Sequence, residues 1–216
     1  MKTLYIDKDI IVCEKPYGVS SQASSGESML DLIATEHKKT PFVVHRLDVT
    51  TTGVMVYALN EKSASCLSAQ VSCRELEKEY LAIVHGKTDA LGEMTDYLYH
   101  DRHINKSFVA EGVRRGVKEA RLEYKTLAYL EGKGLSLVKI KLHTGRTHQI
   151  RVQFSSRGFS LYGDGKYGAK DNDKIALHSC SIAFKHPQGG KFMTFSSLPS
   201  SASAWALFGD IESLIK

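Results

Sequence analysis

Residues 44–58 read VHRLDVTTTGVMVYA. A charged frame, His45, Arg46 and Asp48, stands between two apolar runs, PFVV (41–44) and VMVYA (54–58). Short runs rich in β-branched residues and bounded by Pro41 and Gly53 predict buried strands. Charges that break into such a core are costly unless they are paired or used. Side chains of an extended segment alternate with a period of two, which turns Arg46 and Asp48 to the same side. Thr50, Thr51 and Thr52 then offer three hydroxyls before Gly53 lets the backbone turn. From the residues alone this is either a structural Arg–Asp pair tying a loop to a sheet or a functional site.

Upstream, TLYID and IIVCEK predict a hairpin that ends at Lys15-Pro16-Tyr17-Gly18. Ser28 with Asp31 imitates a capping box, followed by an apolar face of Leu30, Ile33 and Ala34. Downstream, Asn60 predicts the cap of a helix carrying Ala64, Leu67 and Val71. EKEYLAIVHG (77–86) is a strand closed by Gly86. Residues 91–119 are less regular and mix both charges, the pattern of a surface loop, a hairpin or a finger that touches phosphates. ARLEYKTLAYL and LSLVKIKL predict two strands joined by a glycine turn. HTGRTHQIRVQF predicts a helix capped by Thr147 and ended by Gly158, with Arg146 and Arg151 beside its N-terminus as a place to hold an anion. Ala204, Leu207, Phe208, Ile211, Leu214 and Ile215 form the apolar stripe of a final helix.

The 216 residues are 42% apolar and 25% charged, as in an ordinary soluble protein. No apolar run approaches the roughly 20 residues that span a bilayer, and the acids in MKTLYIDKD do not suit a signal peptide. A cytoplasmic protein with no membrane partner is expected. Cys13, Cys66, Cys73 and Cys180 are scattered, with no C-x-x-C pair. The net charge of +5 permits a nucleic-acid partner, and residues 139–157 hold five Lys or Arg and no acid. His143 and His148 flank a glycine turn that does not set them on one helical face, so no metal site is expected. There is neither a P-loop nor a dinucleotide fingerprint.

The central stretch resembles the HRLD-x-x-T-S-G signature of the RluA-type pseudouridine synthases, with Thr52 where that pattern has Ser. Four further blocks resemble the family in order: K-P-x-G at Lys15, K-x-Y-x-A-x-V-x-G at Lys78–Gly86, T-G-R-T-H-Q-I-R-V at Thr144–Val152, and G-D-x-x-Y-G followed by L-H-x-x-x-x-x-F-x-H-P. Together they cover about residues 5–199, and the last two read as framework without chemistry. The resemblance implies an α+β fold: a mixed, largely antiparallel central sheet with flanking helices and an RNA-binding cleft. It implies a single catalytic domain over residues 1–216 with no S4-like domain before it. Asp48 would be the catalytic aspartate, Tyr80 the ring that stacks on the target base, and Arg151 the arginine that pairs with the aspartate. Arg46, His45, Arg146 and Thr52 are the expected substrate contacts. The reaction is an isomerisation of uridine in tRNA or large-subunit ribosomal RNA that needs no cofactor. A monomer with no DNA partner is expected. The competing readings are a glycoside hydrolase, which normally uses two carboxylates where this frame supplies one, and an RNA-binding or RNA-remodelling protein of the same fold without turnover.

Overall fold

The computed structural model describes residues 1–215. In chain order its elements are β1 (Lys2–Ile6), β2 (Ile10–Lys15), α1 (Met29–His37), β3 (Phe42–Val43), β4 (Thr52–Ala58), α2 (Glu61–Ser72), β5 (Glu77–His85), β6 (Leu91–Asp101), β7 (Lys106–Val109), β8 (Val117–Leu130), β9 (Leu135–Leu142), α3 (Gln149–Ser155), β10 (Leu177–Lys185), β11 (Phe192–Ser196) and α4 (Ile211–Ile215). Strands outnumber helices, and β1–β2, β2–β4, β3–β4, β6–β7, β6–β8, β8–β9 and β10–β11 pair antiparallel, whereas β4–β10 is parallel. This is the expected α+β class with mixed, largely antiparallel pairing. The chain folds as two compact units, Met1–Glu79 with His178–Pro199, and Tyr80–Leu177 with the segment from Ser200.

In the first unit the strands run β1-β2-β4-β10, with β3 on β4 and β11 on β10. Its core is apolar on alternate positions: Ile10 and Val12 meet Val54, Val56 and Ala58, with Leu67 of α2 and Ile182 and Phe184 of β10 closing over them. Ser28 and Asp31 form the expected reciprocal capping box at the start of α1. The buried face of that helix is Met29 and Ile33, however, because Ala34 points to solvent. Asn60 caps α2 by accepting the Ser63 N–H at 2.9 Å.

Gly53 is explained differently from the turn expected of it. It lies inside β4 at φ +110°, opposite Ser179 of the parallel strand β10. A Cβ there would stand 2.2 Å from the Ser179 carbonyl oxygen. Glycine is required both for the torsion angle and for the approach of that backbone.

In the second unit the order is β5-β9-β8-β6-β7, with α3 packed against one face of β6 and β8. Residues 91–119 are more regular than expected: β6 and β7 form a hairpin, and β8 pairs with β6 from Leu91 to Tyr99. The single final helix does not form. The chain makes a 3-10 helix, Ser203–Phe208, and then α4, separated at Gly209 (φ +62°) and Asp210. Ala204, Trp205, Phe208 and Ile211 are buried and Leu207 is exposed, so the apolar stripe is shared between two short elements. No helix among the described residues is long and apolar enough to cross a membrane.

Candidate active site

Four of the expected site residues, His45, Arg46, Asp48 and Thr52, belong to the first unit, and Tyr80, Arg146 and Arg151 to the second.

In the first unit, residues 44–51 form a loop between β3 and β4 that keeps the alternation of an extended chain without a ladder. His45 and Leu47 are buried, Arg46 is exposed and Asp48 is half-buried. Side chains from the Lys15–Ser21 segment hold this backbone in place. Ser21 Oγ donates to the Leu47 carbonyl at 2.8 Å and accepts the Leu47 N–H at 3.0 Å. Lys15, at 1% exposure, donates its ammonium protons to the carbonyls of Pro16 (2.9 Å), Val19 (2.7 Å) and Val49 (3.0 Å). Burial lowers its pKa to about 8, and the charge of Asp48 works against that fall. The Asp48 carbonyl accepts the Thr51 N–H at 3.0 Å, closing a turn that presents the carboxylate. Lys15 and Ser21 therefore belong to the site. The sequence reading missed their part because both act on backbone carbonyls, which leave no side-chain pattern.

Arg46 lies at the surface and donates to Gln22 Oε1 at 3.3 Å. The expected substrate contact at His45 is corrected. Its ring is buried, Nε2 accepts the Val56 N–H at 3.2 Å, and Nδ1 has no partner among the described residues. Burial, aided by Lys78, drops its pKa to about 3, so the ring is a neutral framework group. Thr52 meets His178 Nδ1 at 2.8 Å, and His178 Nε2 meets Ser197 Oγ at 3.0 Å. This chain braces the start of β4 against β10. Burial lowers the His178 pKa to about 4.

The two histidines give a prediction with a definite sign. Their folded pKa values lie below the ordinary 6.5 of the unfolded chain, so between about pH 4 and 6.5 the unfolded state binds more protons. The stability is complete above that window and is lost as pH falls through it, by roughly 3 kcal/mol for His178. His178→Gln removes this group. Its urea midpoint should fall less than that of the wild type between about pH 6.5 and 4.5. An identical fall in both proteins would assign the acid sensitivity to other groups.

In the second unit, Tyr80 is buried in β5 at 4% exposure. The helix expected to start at Thr147 begins one residue later: His148, at φ +55°, is its N-cap and α3 runs from Gln149. The Gln149 N–H is taken by the Arg146 carbonyl at 3.1 Å, and the Gln149 side chain accepts the Arg146 N–H and the Thr144 hydroxyl. The first N–H of the helix is thus occupied within its own loop. Arg146 turns its Nε to the Glu119 carbonyl at 2.8 Å.

Arg151, 5% exposed, makes a bidentate pair with Asp164: Nε to Oδ2 at 2.6 Å and the Nη2 nitrogen to Oδ1 at 2.8 Å. Its guanidinium lies 5.0 Å from the centre of the Tyr167 ring. Tyr167 Oη accepts the Ser107 N–H at 2.8 Å and meets His148 Nδ1 at 3.0 Å. A planar, permanently charged fork matched to a carboxylate fixes both the position and the rotation of Arg151. The block GDGKYG, read as framework, therefore supplies the carboxylate and the ring that hold this arginine.

The sequence profile described as RNA pseudouridylate synthase matches residues 9–156. An uncharacterized RNA pseudouridine synthase of Aquifex aeolicus is 36% identical over 220 residues, covering 89% of this chain and 67% of its own. Ribosomal large subunit pseudouridine synthase D of Borreliella burgdorferi is 32% identical, covering 83% of this chain and 59% of its own. The chain thus spans about two thirds, or somewhat less, of the length of these relatives. Among solved structures, human RNA pseudouridylate synthase domain containing 1 superposes with a TM-score of 0.78 at 21% identity, covering 99% of this chain and 94% of that one. Human RNA pseudouridylate synthase domain containing 4 gives 0.75 at 22% identity, covering 92% and 89%. These two likenesses agree in fold. The profile, which spans most of the chain, and the 36% identical relative go further: the chain belongs to the RNA pseudouridylate synthase family.

Proposed function

We propose that this chain isomerises specific uridines of tRNA or large-subunit ribosomal RNA in the cytosol, with Asp48 as the essential carboxylate. The observation that carries the proposal is the construction of the Asp48 loop. A half-buried carboxylate is presented on a turn whose backbone is held by a buried lysine and a buried serine hydroxyl, beside an exposed arginine. Reactive groups need such fixed placement, since a carboxylate on a loose loop loses the advantage of proximity.

In the reaction the N1–C1′ bond of uridine breaks, the uracil rotates and a C5–C1′ bond forms. The proton on C5 is released and N1 gains one, so atoms and electrons balance without an external reductant. The target base must leave its stack, at a cost of a few kcal/mol. Arg46 is proposed to fill the vacated space or grip the adjacent phosphate. Asp48 then acts as nucleophile or base toward the sugar or the uracil. On the family resemblance, Tyr80 stacks on the extruded base and Arg151 is the arginine of the reaction site.

Loss of the C5 proton gives the test. RNA transcribed with uridine tritiated at C5 should release tritium to water when the wild-type protein is added, from unmodified tRNA or from large-subunit ribosomal RNA. The RNA that responds names the substrate class. No release from either, with RNA binding retained, would overturn the proposal in favour of an RNA-binding protein without turnover.

A further inference from the structure

Strands β6, β7 and β8 have one face covered by α3 and one face open. On the covered side Leu98 and Ala120 pack with Val152 and Tyr167, and Gln153 reaches Asp96. On the open side, alternation brings out Tyr97 (39% exposed) and Tyr99 (36%), and Phe108 (41%) stands directly across from Tyr99 in the β6–β7 register. Two cations attend these rings. Arg114 lies 5.9 Å from the centre of Tyr99, and Lys106 Nζ lies 5.7 Å from that of Phe108 and 5.2 Å from that of Tyr167 on the covered side.

Aromatic rings are ordinarily buried against a neighbour, and three on one open sheet face suggest an absent partner. The surrounding charge says which kind. Residues 101–118 carry Arg102, Lys106, Arg114, Arg115 and Lys118 against Asp101 and Glu111, a net of +3 from five bases and two acids. Asp101 is further occupied by the turn, its Oδ1 accepting the N–H groups of His103 and Ile104. Glu119, opposite Tyr97, stands on the face itself, and towards the start of β6 Glu93 and Glu123 stand on it too, paired with the Arg121 guanidinium. Flat rings interleaved with cations form a surface for unpaired nucleotides: bases stack on the rings and phosphates meet the cations. A base can also replace Arg114 on Tyr99 and free that guanidinium for a phosphate.

We infer that the open face of β6–β8 is a stacking platform for single-stranded nucleotides of the RNA, centred on Tyr97, Tyr99 and Phe108. This deepens the synthase reading and rests on it for the identity of the RNA. It makes the favoured substrate an RNA that carries unpaired residues.

The test is fluorescence anisotropy with an unstructured RNA of about 12 nucleotides at fixed salt, comparing wild type with the triple variant Tyr97→Leu/Tyr99→Leu/Phe108→Leu. Leucine keeps an apolar side chain and removes the π face. Each base–ring stack is expected to contribute about fivefold or more, so losing all three should weaken binding by about a hundredfold or more, and Tyr99→Phe should stay within about twofold of wild type. If the triple variant fails to fold, cross-linking of 5-iodouridine RNA to the wild type decides. Adducts on these three rings support the platform, and adducts found only elsewhere overturn it. Unchanged affinity of a folded triple variant also overturns it. So does a dimer that dissociates on the leucine substitutions while RNA affinity stays the same, since the face would then belong to a second copy of this chain. Failure of the synthase reading looks different: the wild type would release no tritium from any RNA, whatever the platform binds.

Discussion

Asp48→Asn is expected to abolish pseudouridine formation, lowering it by about a thousandfold or more, while RNA affinity stays within a few-fold of wild type. The change removes one charge and almost no volume. The turn that positions residue 48 uses its backbone carbonyl, which accepts the Thr51 N–H and survives the substitution. The neighbouring loop is held by Lys15 and Ser21 through the backbone of Val19, Val49 and Leu47, which the substitution leaves in place. One effect on the scaffold is expected. Asp48 raises the pKa of Lys15 against the larger opposing effect of burial, so its neutralisation should make the buried ammonium somewhat easier to discharge above neutral pH. Measuring tritium release under single-turnover conditions and RNA binding by filter retention separates chemistry from affinity. Turnover by Asp48→Asn within tenfold of wild type would show that the carboxylate is dispensable.

The contrast between Asp48 and its supports also shows what the sequence could carry. Local rules are written in neighbouring residues, and they were legible: the Ser28–Asp31 capping box and the Asn60 cap form as read. The hairpins formed by β1–β2 and β8–β9 do so as well. The apolar stripe of residues 204–215 misled, because spacings of three and four fit a 3-10 helix followed by an α-helical turn as well as one continuous helix. Gly209 decided between them. Strand β6 was hard to see because its covered face mixes Met94 and Leu98 with Asp96. That acid is retained there because Gln153 and Arg157 bond it. In the site, the HRLD frame stands out as charge within apolar runs. Lys15, Ser21 and Asp164 do not, because their roles depend on contacts with Val49, Leu47 and Arg151 that only the folded chain creates. His45 shows the opposite error, a polar residue in the motif whose ring the fold buries for its own use.

Asp164→Asn should destabilise the protein by about 3–5 kcal/mol, the ordinary cost of breaking a buried, hydrogen-bonded ion pair from one side. Asp164 is fully buried and Arg151 nearly so. Both carboxylate oxygens of Asp164 accept from the guanidinium, at 2.6 and 2.8 Å. An asparagine can offer one of those acceptors, but it must turn its NH2 group toward an N–H of the fork, so a bond becomes a donor–donor clash. Arginine does not escape by losing its proton, since a guanidinium stays protonated in proteins. The charge must stay buried with a poorer partner or draw the backbone of α3 outward with it. The chain's one tryptophan, Trp205, is buried in the same unit and reports on it, so urea unfolding followed by Trp205 fluorescence should show the loss. A double-mutant cycle with Arg151→Met separates the pair from its surroundings. If the ion pair carries the effect, Arg151→Met/Asp164→Leu should lose clearly less stability than Arg151→Met and Asp164→Leu summed, because apolar replacements remove both desolvated charges together. It should still be inactive, since on the proposed mechanism Arg151 serves the reaction and Asp164 serves Arg151. Asp164→Asn within about 1 kcal/mol of wild type would mean that the carboxylate contributes little to holding the arginine, and that Tyr167 and the rest of α3 position it instead.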